Sequence, residues 1–353
     1  MASKFILTFL LGVFLVSPHL VAGGEPRYPV LDSKFPAAEA KLGWIDNERV
    51  MFHGYDVGKM TQPGPGEGYP TAAEGLFIWD TGKGTVTKYW DIEGPVPLCV
   101  FQGHVFFSMK LKGKENAWLL VSGPPGKEEQ EIVSSGISMN GHSCQASDHK
   151  PSWMKEDKHR RLRLLDEHGY LDFGIPSRAD RTKATSILLY QPDAKDPLQL
   201  PFTGEQVRLH ATYYEFQNVY LLEGERMTTY AAPVWLLKPD GSVTTVLEPT
   251  GKAWEKMGWG HYQLTKKGLF LVGGSGSYDH VGTMGGYLLS GDRPIRLISG
   301  LTRSISVSPS GCKIAFVHAR HSLAEAESAQ ALRQGKPGTR TLKMIDLCAG
   351  KGE

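Results

Sequence analysis

A short apolar run recurs six times along the chain at nearly even spacing. The runs begin at Val50, Val105, Leu162, Val219, Leu269 and Ile314, roughly 45 to 57 residues apart. A second apolar run follows each of them, beginning at Leu76, Trp118, Ile187, Trp235, Tyr287 and Leu342. Turn residues and a further strand-like segment come after the second run in the first five units. This period predicts a repeat architecture in which each unit is one small sheet.

The best-formed unit covers residues 302–318. Ile305 and Val307 alternate with serines, which is the pattern of a half-buried strand. Pro309 and Gly311 favour a turn, and an uninterrupted apolar run beginning at Ile314 predicts a strand covered on both faces. The unit resembles the strand–turn–strand element of WD40-like and TolB-type β-propeller repeats, with Ser310 where those repeats usually carry Asp.

Four strands in each of six units predict an all-β, six-bladed β-propeller. Too little chain follows Leu347 for a fourth strand in the last blade, whereas a spare strand-like segment lies at residues 28–32. We therefore expect the N-terminal strand to complete the last blade of a single domain spanning residues 24–353. A β-sandwich is the alternative architecture. A seventh blade is a second alternative, if the irregular region at residues 141–158 contains one.

Two insertions interrupt the repeats, each between the second and third strands of a blade. Residues 57–74 are rich in Gly and Pro and predict an irregular loop. In residues 319–340, Ser322 and Glu325 form a capping box, which predicts a helix over about 322–335 that Gly335 ends. Loops of this kind leave a propeller on one side, so we expect both insertions to lie on the same face.

The N-terminus predicts export. Lys4 precedes an apolar stretch over residues 5–16, and small residues follow near Gly23, which is the pattern of a signal peptide over residues 1–23. The apolar stretch is shorter than the ~20 residues that span a bilayer, although an uncleaved anchor is the alternative. We therefore expect a secreted or periplasmic protein with no stable membrane anchor after cleavage. The net charge of +2 gives no general electrostatic reason to bind nucleic acid.

The four cysteines predict disulfides in an oxidising compartment. Cys312 opens one strand and Cys348 closes another, so the two cysteines would meet if these strands are antiparallel neighbours. That pairing leaves Cys99 with Cys144. Four buried free thiols are the alternative.

Three histidines predict a metal site, if they converge on a central channel. His142, His210 and His261 fall on the predicted innermost strands of three successive blades. Imidazoles that face one another suit a divalent metal. Propeller lyases of the oligogalacturonate type are similar in using channel histidines with a metal. A metal-dependent lyase or hydrolase that uses these three histidines is therefore one interpretation. Because a slip of one residue turns a strand side chain to the other face, the alternative is three separate, hydrogen-bonded histidines.

A group of polar and aromatic residues predicts a ligand surface on the insertion side. Its members lie on loops or strand ends near the insertions: Tyr278, Asp279, His280, His318, Arg320, His321, Trp254 and Trp259. Aromatic side chains at such positions bind sugars and protein partners equally well. We identify no catalytic residue, because no nucleophile motif is present. The sequence therefore favours a non-catalytic scaffold that binds a protein or glycan ligand, and a metal-dependent propeller enzyme is the alternative.

Overall fold

The computed structural model of the chain describes a series of antiparallel sheets. It describes residues 28–38, 42–61, 71–92, 98–101, 104–111, 114–122, 129–134, 137–140, 143–146, 170–174, 186–190, 195–199, 209–224, 233–248, 261–274, 283–290, 293–319 and 340–349. These residues are almost entirely β-structure, with one short 3₁₀ turn at Glu215–Gln217. The predicted signal peptide and the predicted helix over 322–335 lie outside the described residues.

The strands are numbered in chain order. The first twelve are β1 (Val30–Pro36), β2 (Gly43–Trp44), β3 (Arg49–Thr61), β4 (Thr71–Asp80), β5 (Thr85–Asp91), β6 (Leu98–Phe101), β7 (His104–Leu111), β8 (Lys114–Ser122), β9 (Glu129–Ser134), β10 (Ile137–Asn140), β11 (Ser143–Ala146) and β12 (Tyr170–Gly174). The others are β13 (Ser186–Tyr190), β14 (Leu198–Gln199), β15 (Leu209–Tyr214), β16 (Val219–Gly224), β17 (Val234–Leu237), β18 (Val243–Leu247), β19 (Tyr262–Thr265), β20 (Gly268–Gly273), β21 (Gly285–Ser290), β22 (Arg293–Ser299), β23 (Leu301–Val307), β24 (Lys313–Ala319) and β25 (Arg340–Asp346).

Four of the sheets have four strands each. The first sheet is β2-β3-β4-β5, the fourth is β15-β16-β17-β18, the fifth is β19-β20-β21-β22 and the last is β1-β25-β24-β23. The N-terminal strand β1 pairs antiparallel with β25, with Val30 opposite Ile345. The predicted apolar runs at Val50, Val219, Leu269 and Ile314 each lie on the second strand of one of these sheets. Serial four-stranded antiparallel sheets are the arrangement of propeller blades.

The second and third sheets depart from the predicted four strands. The second has six strands in the order β10-β11-β6-β7-β8-β9, and the third has three, β12-β13-β14. The β10–β11 hairpin joins the second sheet through a parallel pairing of Ser143 with Val100. The predicted run at Leu162 lies outside the described residues. The sequence pattern failed here because a parallel pairing between distant segments leaves no local signal.

Neighbouring sheets pack face to face and form the core. Ala315 and Val317 on β24 pack with Val50 and Phe52 of the first sheet. Ile314 and Phe316, which point to the other face of β24, pack with Phe270 of the fifth sheet. A further cluster joins the fourth sheet to the fifth, including Leu221 and Leu271. The apolar run at Ile314 is uninterrupted because both faces of its strand are covered. Full burial of a side chain such as Phe316 contributes about 1.5–3 kcal/mol.

The short turns of four sheets meet at one end, which we call the turn face. It consists of residues 45–48, 215–218, 266–267 and 308–312. Gly311 accepts a hydrogen bond from the backbone N–H of Lys266 at 2.8 Å. The ring of Phe216 lies against Gly311, whose φ is +74°. Because a Cβ at this position would lie 2.5 Å from that ring, the turn requires glycine for both conformation and space.

The turn face also joins the first sheet to the last. The backbone N–H of Ser310 donates to Asn47 Oδ1 at 2.8 Å, and Lys313 Nζ lies 2.7 Å from Glu48 Oε1. The Ser310 hydroxyl accepts a hydrogen bond from the backbone N–H of Cys312 at 3.4 Å. Serine thus provides the side-chain acceptor within this turn. Trp44 donates from Nε1 to the carbonyl oxygen of Ser306 at 3.0 Å.

Asp46 organises the turn between β2 and β3. Its carboxylate accepts from the backbone N–H groups of Glu48 and Arg49 and from Arg49 Nε, each at 2.8 Å. Partial burial alone would raise the pKa of the Asp46 carboxyl. The hydrogen bonds from the Arg49 side chain and from the two backbone groups outweigh burial, so the pKa is lowered.

The predicted pairing of Cys312 with Cys348 is confirmed. The two sulfur atoms are bonded, and the Cα atoms lie 5.3 Å apart. Because Lys313 pairs with Asp346 across β24 and β25, the ends of these strands that carry the cysteines are adjacent. Leu347 donates from its backbone N–H to the carbonyl of Cys312 at 2.8 Å. The Cys99–Cys144 pairing stays a prediction, with the two cysteines on the adjacent strands β6 and β11.

Candidate binding face at the bases of two insertions

The bases of the two insertions are joined by one short segment of backbone. Ala37 donates its backbone N–H to the carbonyl of Arg340 at 3.3 Å, where the chain returns from the second insertion. Ala38 donates to the carbonyl of His53 at 2.9 Å, on the strand that leads into the first insertion. We call this end of the sheets, opposite the turn face, the insertion face. The two insertions therefore begin on the same side of the molecule.

Close packing holds this junction together. Ala37 forms an isolated antiparallel bridge with Gly54 of β3. A Cβ on Gly54 would lie 2.9 Å from the carbonyl oxygen of Pro36 and 3.0 Å from the ring of Phe35. Only glycine lets the incoming chain cross β3 at this distance. The first and last sheets are thus fixed to each other where the insertions begin.

A buried histidine and a carboxylate lie beside this junction. His53 is 2% exposed, and its Nε2 lies 3.3 Å from Glu74 Oε2. This is an ion-pair distance without hydrogen-bond geometry. Within the described part of the chain, neither ring nitrogen of His53 nor Glu74 Oε2 has a hydrogen-bond partner. A buried polar atom left in this state costs about 1–3 kcal/mol, which makes the pair a candidate functional site.

The pairing of β3 with β4 brings the two side chains together. His53 lies opposite Leu76, Tyr55 lies opposite Glu74, and all four residues point to the same face of the sheet. The ring of Tyr55 stacks on that of His53, with 6.0 Å between the ring centroids and 28° between the ring planes. The Glu74 side chain is 29% exposed although its Oε2 is buried. The accessible part of Glu74 therefore includes its other oxygen or its methylene groups, beside the half-buried Tyr55.

Charged residues on β3 and β5 of the same sheet neutralise one another. Lys88 pairs with Asp91 and lies 3.4 Å from Asp56, and Lys59 lies 3.8 Å from Asp91. The hydrogen bond with Asp91 raises the pKa of Lys88 and lowers the pKa of the Asp91 carboxyl. These two lysines and two aspartates together contribute no net charge to the surface beside Glu74.

The only predicted ligand residue within the described chain is His318. It is buried, and its Nε2 lies 2.8 Å from the carbonyl oxygen of Ser299, so its imidazole links strand ends and is not presented to solvent. The other predicted residues lie outside the described residues: Tyr278, Asp279, His280, Arg320, His321, Trp254 and Trp259.

The predicted metal site stays a prediction. His261 is exposed just before β19, His210 lies on β15 opposite Glu223, and His142 lies outside the described residues. In the part of the chain that the structure describes, no three His, Cys, Asp or Glu side chains are grouped to hold a metal ion.

Two aromatic residues that could have marked a surface pack inside the molecule. Trp44 is buried between the first and last sheets. Tyr214 is buried, and its hydroxyl donates to Gln263 Oε1 at 3.0 Å. Burial raises the pKa of the Tyr214 hydroxyl, so this group stays protonated.

Sequence reasoning missed His53 and Glu74. The two residues are separated by the first insertion and meet only through the β3–β4 register. One signal was available: a histidine and a glutamate flank a Gly/Pro-rich loop at the ends of two apolar runs. A hairpin between those runs would place the two residues near each other.

Comparisons with known proteins give distant structural likenesses. No family model and no curated protein matches the sequence. A prolyl endopeptidase is 12% identical with a TM-score of 0.48, covering 91% of this chain and 50% of that one. An oligogalacturonate lyase in complex with manganese is 8% identical with a TM-score of 0.38, covering 91% and 93%. The β-propeller domain of the trilobed protease from Pyrococcus furiosus is 10% identical with a TM-score of 0.35, covering 88% and 94%.

These likenesses are too distant to assign an activity. The chain spans about half the length of the prolyl endopeptidase chain that it matches. Its class follows from its own sheets, which are serial antiparallel units of the propeller type. None of the helices among the described residues is long and apolar enough to cross a membrane.

Proposed function

We propose that the chain is an exported, six-bladed β-propeller whose last blade is completed by β1. The pairing of β1 with β25 supports this closure, as does the packing of the first sheet against the last. The contacts of Asn47 and Glu48 with the turn at residues 308–312 join the same two sheets. A closed ring removes exposed sheet edges between its ends. The Cys312–Cys348 disulfide and the signal-like N-terminus support export.

We propose further that the protein is a non-catalytic scaffold that binds a protein or glycan ligand on its insertion face. The observation that carries this proposal is the Ala37–Ala38 segment, which holds the bases of both insertions together. The loops at residues 224–231 and 274–283 join the second and third strands of their sheets, and so leave the molecule on the same side. Segments brought together on a rigid scaffold are common binding sites.

Replacement of the second insertion tests this function. Ala319 pairs directly with Arg340, so a short Gly/Ser linker in place of residues 322–338 can join the two strands without disturbing either. We expect the variant to keep its melting temperature and to lose capture of ligand from an extracytoplasmic extract.

Lys83→Ala is the matched control, because Lys83 lies in the turn between β4 and β5 at the opposite end of the first sheet. It should capture the same ligand as the unmodified protein. Recovery of that ligand by the variant lacking 322–338 would show that the insertion face is not the binding face.

A further inference from the structure

The geometry of His53, Tyr55 and Glu74 points to a glycan as the ligand of the insertion face. We propose that Glu74 accepts hydrogen bonds from sugar hydroxyls, that Tyr55 stacks on the sugar ring, and that His53 positions the Glu74 carboxylate. This inference rests on the proposed function, because it names the ligand class of the same face.

The register places a carboxylate and an aromatic ring side by side at the mouth of the first insertion. Tyr55 and Glu74 are opposite residues on β3 and β4, so their Cβ atoms lie about 4.5–5.5 Å apart on one face of the sheet. A sugar has apolar C–H faces and hydroxyls around its edge. An aromatic ring can cover one face while an adjacent carboxylate accepts from the edge, which fixes the orientation of the ligand.

The state of His53 supports a positioning role. Its imidazole is buried and lies at 3.3 Å from the buried oxygen of Glu74, without hydrogen-bond geometry. One oxygen of the carboxylate is thereby held inside while the remainder of the side chain is partly exposed. A buried histidine that costs stability in this way, behind a partly exposed glutamate side chain, is explained by ligand binding.

The surrounding charges favour a neutral ligand over a charged one. Lys59, Lys88, Asp56 and Asp91 pair among themselves and cancel, so beside the Glu74 carboxylate these side chains add no excess charge for a cationic or anionic peptide. Hydroxyl groups need directional acceptors and not net charge. The observations therefore favour a hydroxyl-rich ligand over a charged protein partner.

Binding to an immobilised array of neutral oligosaccharides tests the inference, followed by titration calorimetry with the oligosaccharide that gives the strongest signal. We expect Glu74→Gln and Tyr55→Ala each to weaken binding at least about tenfold. Tyr55→Phe should stay within about twofold, because stacking needs only the ring. Glu248→Gln is the control for Glu74, since Glu248 is an exposed carboxylate after β18. It should bind as the unmodified protein does.

The positioning role of His53 has its own readout. His53→Gln retains an N–H donor and should keep the affinity within about threefold, whereas His53→Leu should lose about tenfold in affinity with a melting temperature no lower than that of the unmodified protein. Equal affinity of the two variants would contradict positioning.

Two outcomes would overturn the glycan assignment. One is an array on which the unmodified protein binds no oligosaccharide, and the other is full binding by both Glu74→Gln and Tyr55→Ala. If Glu74→Gln does not fold, carbodiimide modification of the unmodified protein replaces it as the test. A bound oligosaccharide should protect the Glu74 carboxyl from modification. The two proposals can also be separated. If the variant without residues 322–338 loses ligand capture but the unmodified protein binds no oligosaccharide on the array, the scaffold function is supported and a glycan ligand is excluded.

Discussion

The turn face and the insertion face of the same sheets differ in how completely their polar groups are satisfied. At the turn face, Ser310 and Gly311 exchange short hydrogen bonds with residues of two other sheets. At the insertion face, the buried His53 Nε2 lies 3.3 Å from the buried Oε2 of Glu74 without completing a hydrogen bond. The connections also differ in length, since tight turns lie at one end and long insertions at the other.

We infer from this difference that the turn face stabilises the fold and that the insertion face binds the ligand. Hydrogen-bonded turns at the centre of several sheets contribute to the free energy of folding. Incompletely paired groups at the bases of long loops lower stability and are available for recognition. Changes at the turn face should therefore affect unfolding, whereas changes at the insertion face should affect binding.

The largest effect on stability should come from removal of the Cys312–Cys348 disulfide. The two cysteines are 36 residues apart, so the chain-entropy model gives about 3–4 kcal/mol of stabilisation from the closed loop. Replacing both with serine should lower the free energy of unfolding by that amount in urea titrations under oxidising conditions. An unchanged unfolding midpoint would show that the turn face does not stabilise the fold through this bridge.

The next effect should come from Gly311→Ala. The left-handed backbone alone costs alanine about 1–2 kcal/mol, and the contact with Phe216 adds to this cost, for a total of about 2–3 kcal/mol. Gly84→Ala is a matched control, because Gly84 has a similar φ of +69° but no atom near the added Cβ. It should cost only the backbone part, about 1–2 kcal/mol. If both variants lose the same free energy of unfolding in urea, the packing of Phe216 against the turn does not contribute to stability.

The smallest effect concerns pH and Asp46. Because the pKa of its carboxyl is lowered in the folded protein, the stabilisation is present above its ordinary value near 3.8 and is lost as pH falls through the lowered folded value. Asp46→Asn keeps the side-chain oxygen acceptor but removes the charge. The difference in unfolding free energy between the two proteins should be larger at pH 7 than at pH 2.5. A difference that does not change between these pH values would contradict the role of the charge.

Local patterns predicted much of the regular part of the fold. The runs at Val219, Leu269 and Ile314 are uninterrupted because neighbouring sheets cover both faces of their strands, and burial of this kind is visible in a sequence. The Cys312–Cys348 pairing followed from antiparallel geometry alone. The addition of β10–β11 to the second sheet was not predicted, because the pairing of Ser143 with Val100 depends on contacts between distant residues.

The candidate site was less accessible to sequence reasoning. The predicted metal site uses histidines of the innermost strands, whereas His53 lies on the second strand of its sheet and is identified only by Glu74 across the hairpin. His318 was predicted to face a ligand, yet it is buried against Ser299. The alternating pattern of a strand does not show which polar side chain points into the protein, because that depends on whether a carbonyl group is present to accept its hydrogen bond.

Parallel assays of two variants test the division between the faces most directly. The melting temperature and the capture of ligand would be measured for Gly311→Ala and for the protein with a short linker in place of residues 322–338. We expect Gly311→Ala to melt at a lower temperature but to capture ligand fully while folded. The linker variant should melt like the unmodified protein and capture none. Full capture by the linker variant, or loss of capture by folded Gly311→Ala, would contradict the assignment of binding to the insertion face.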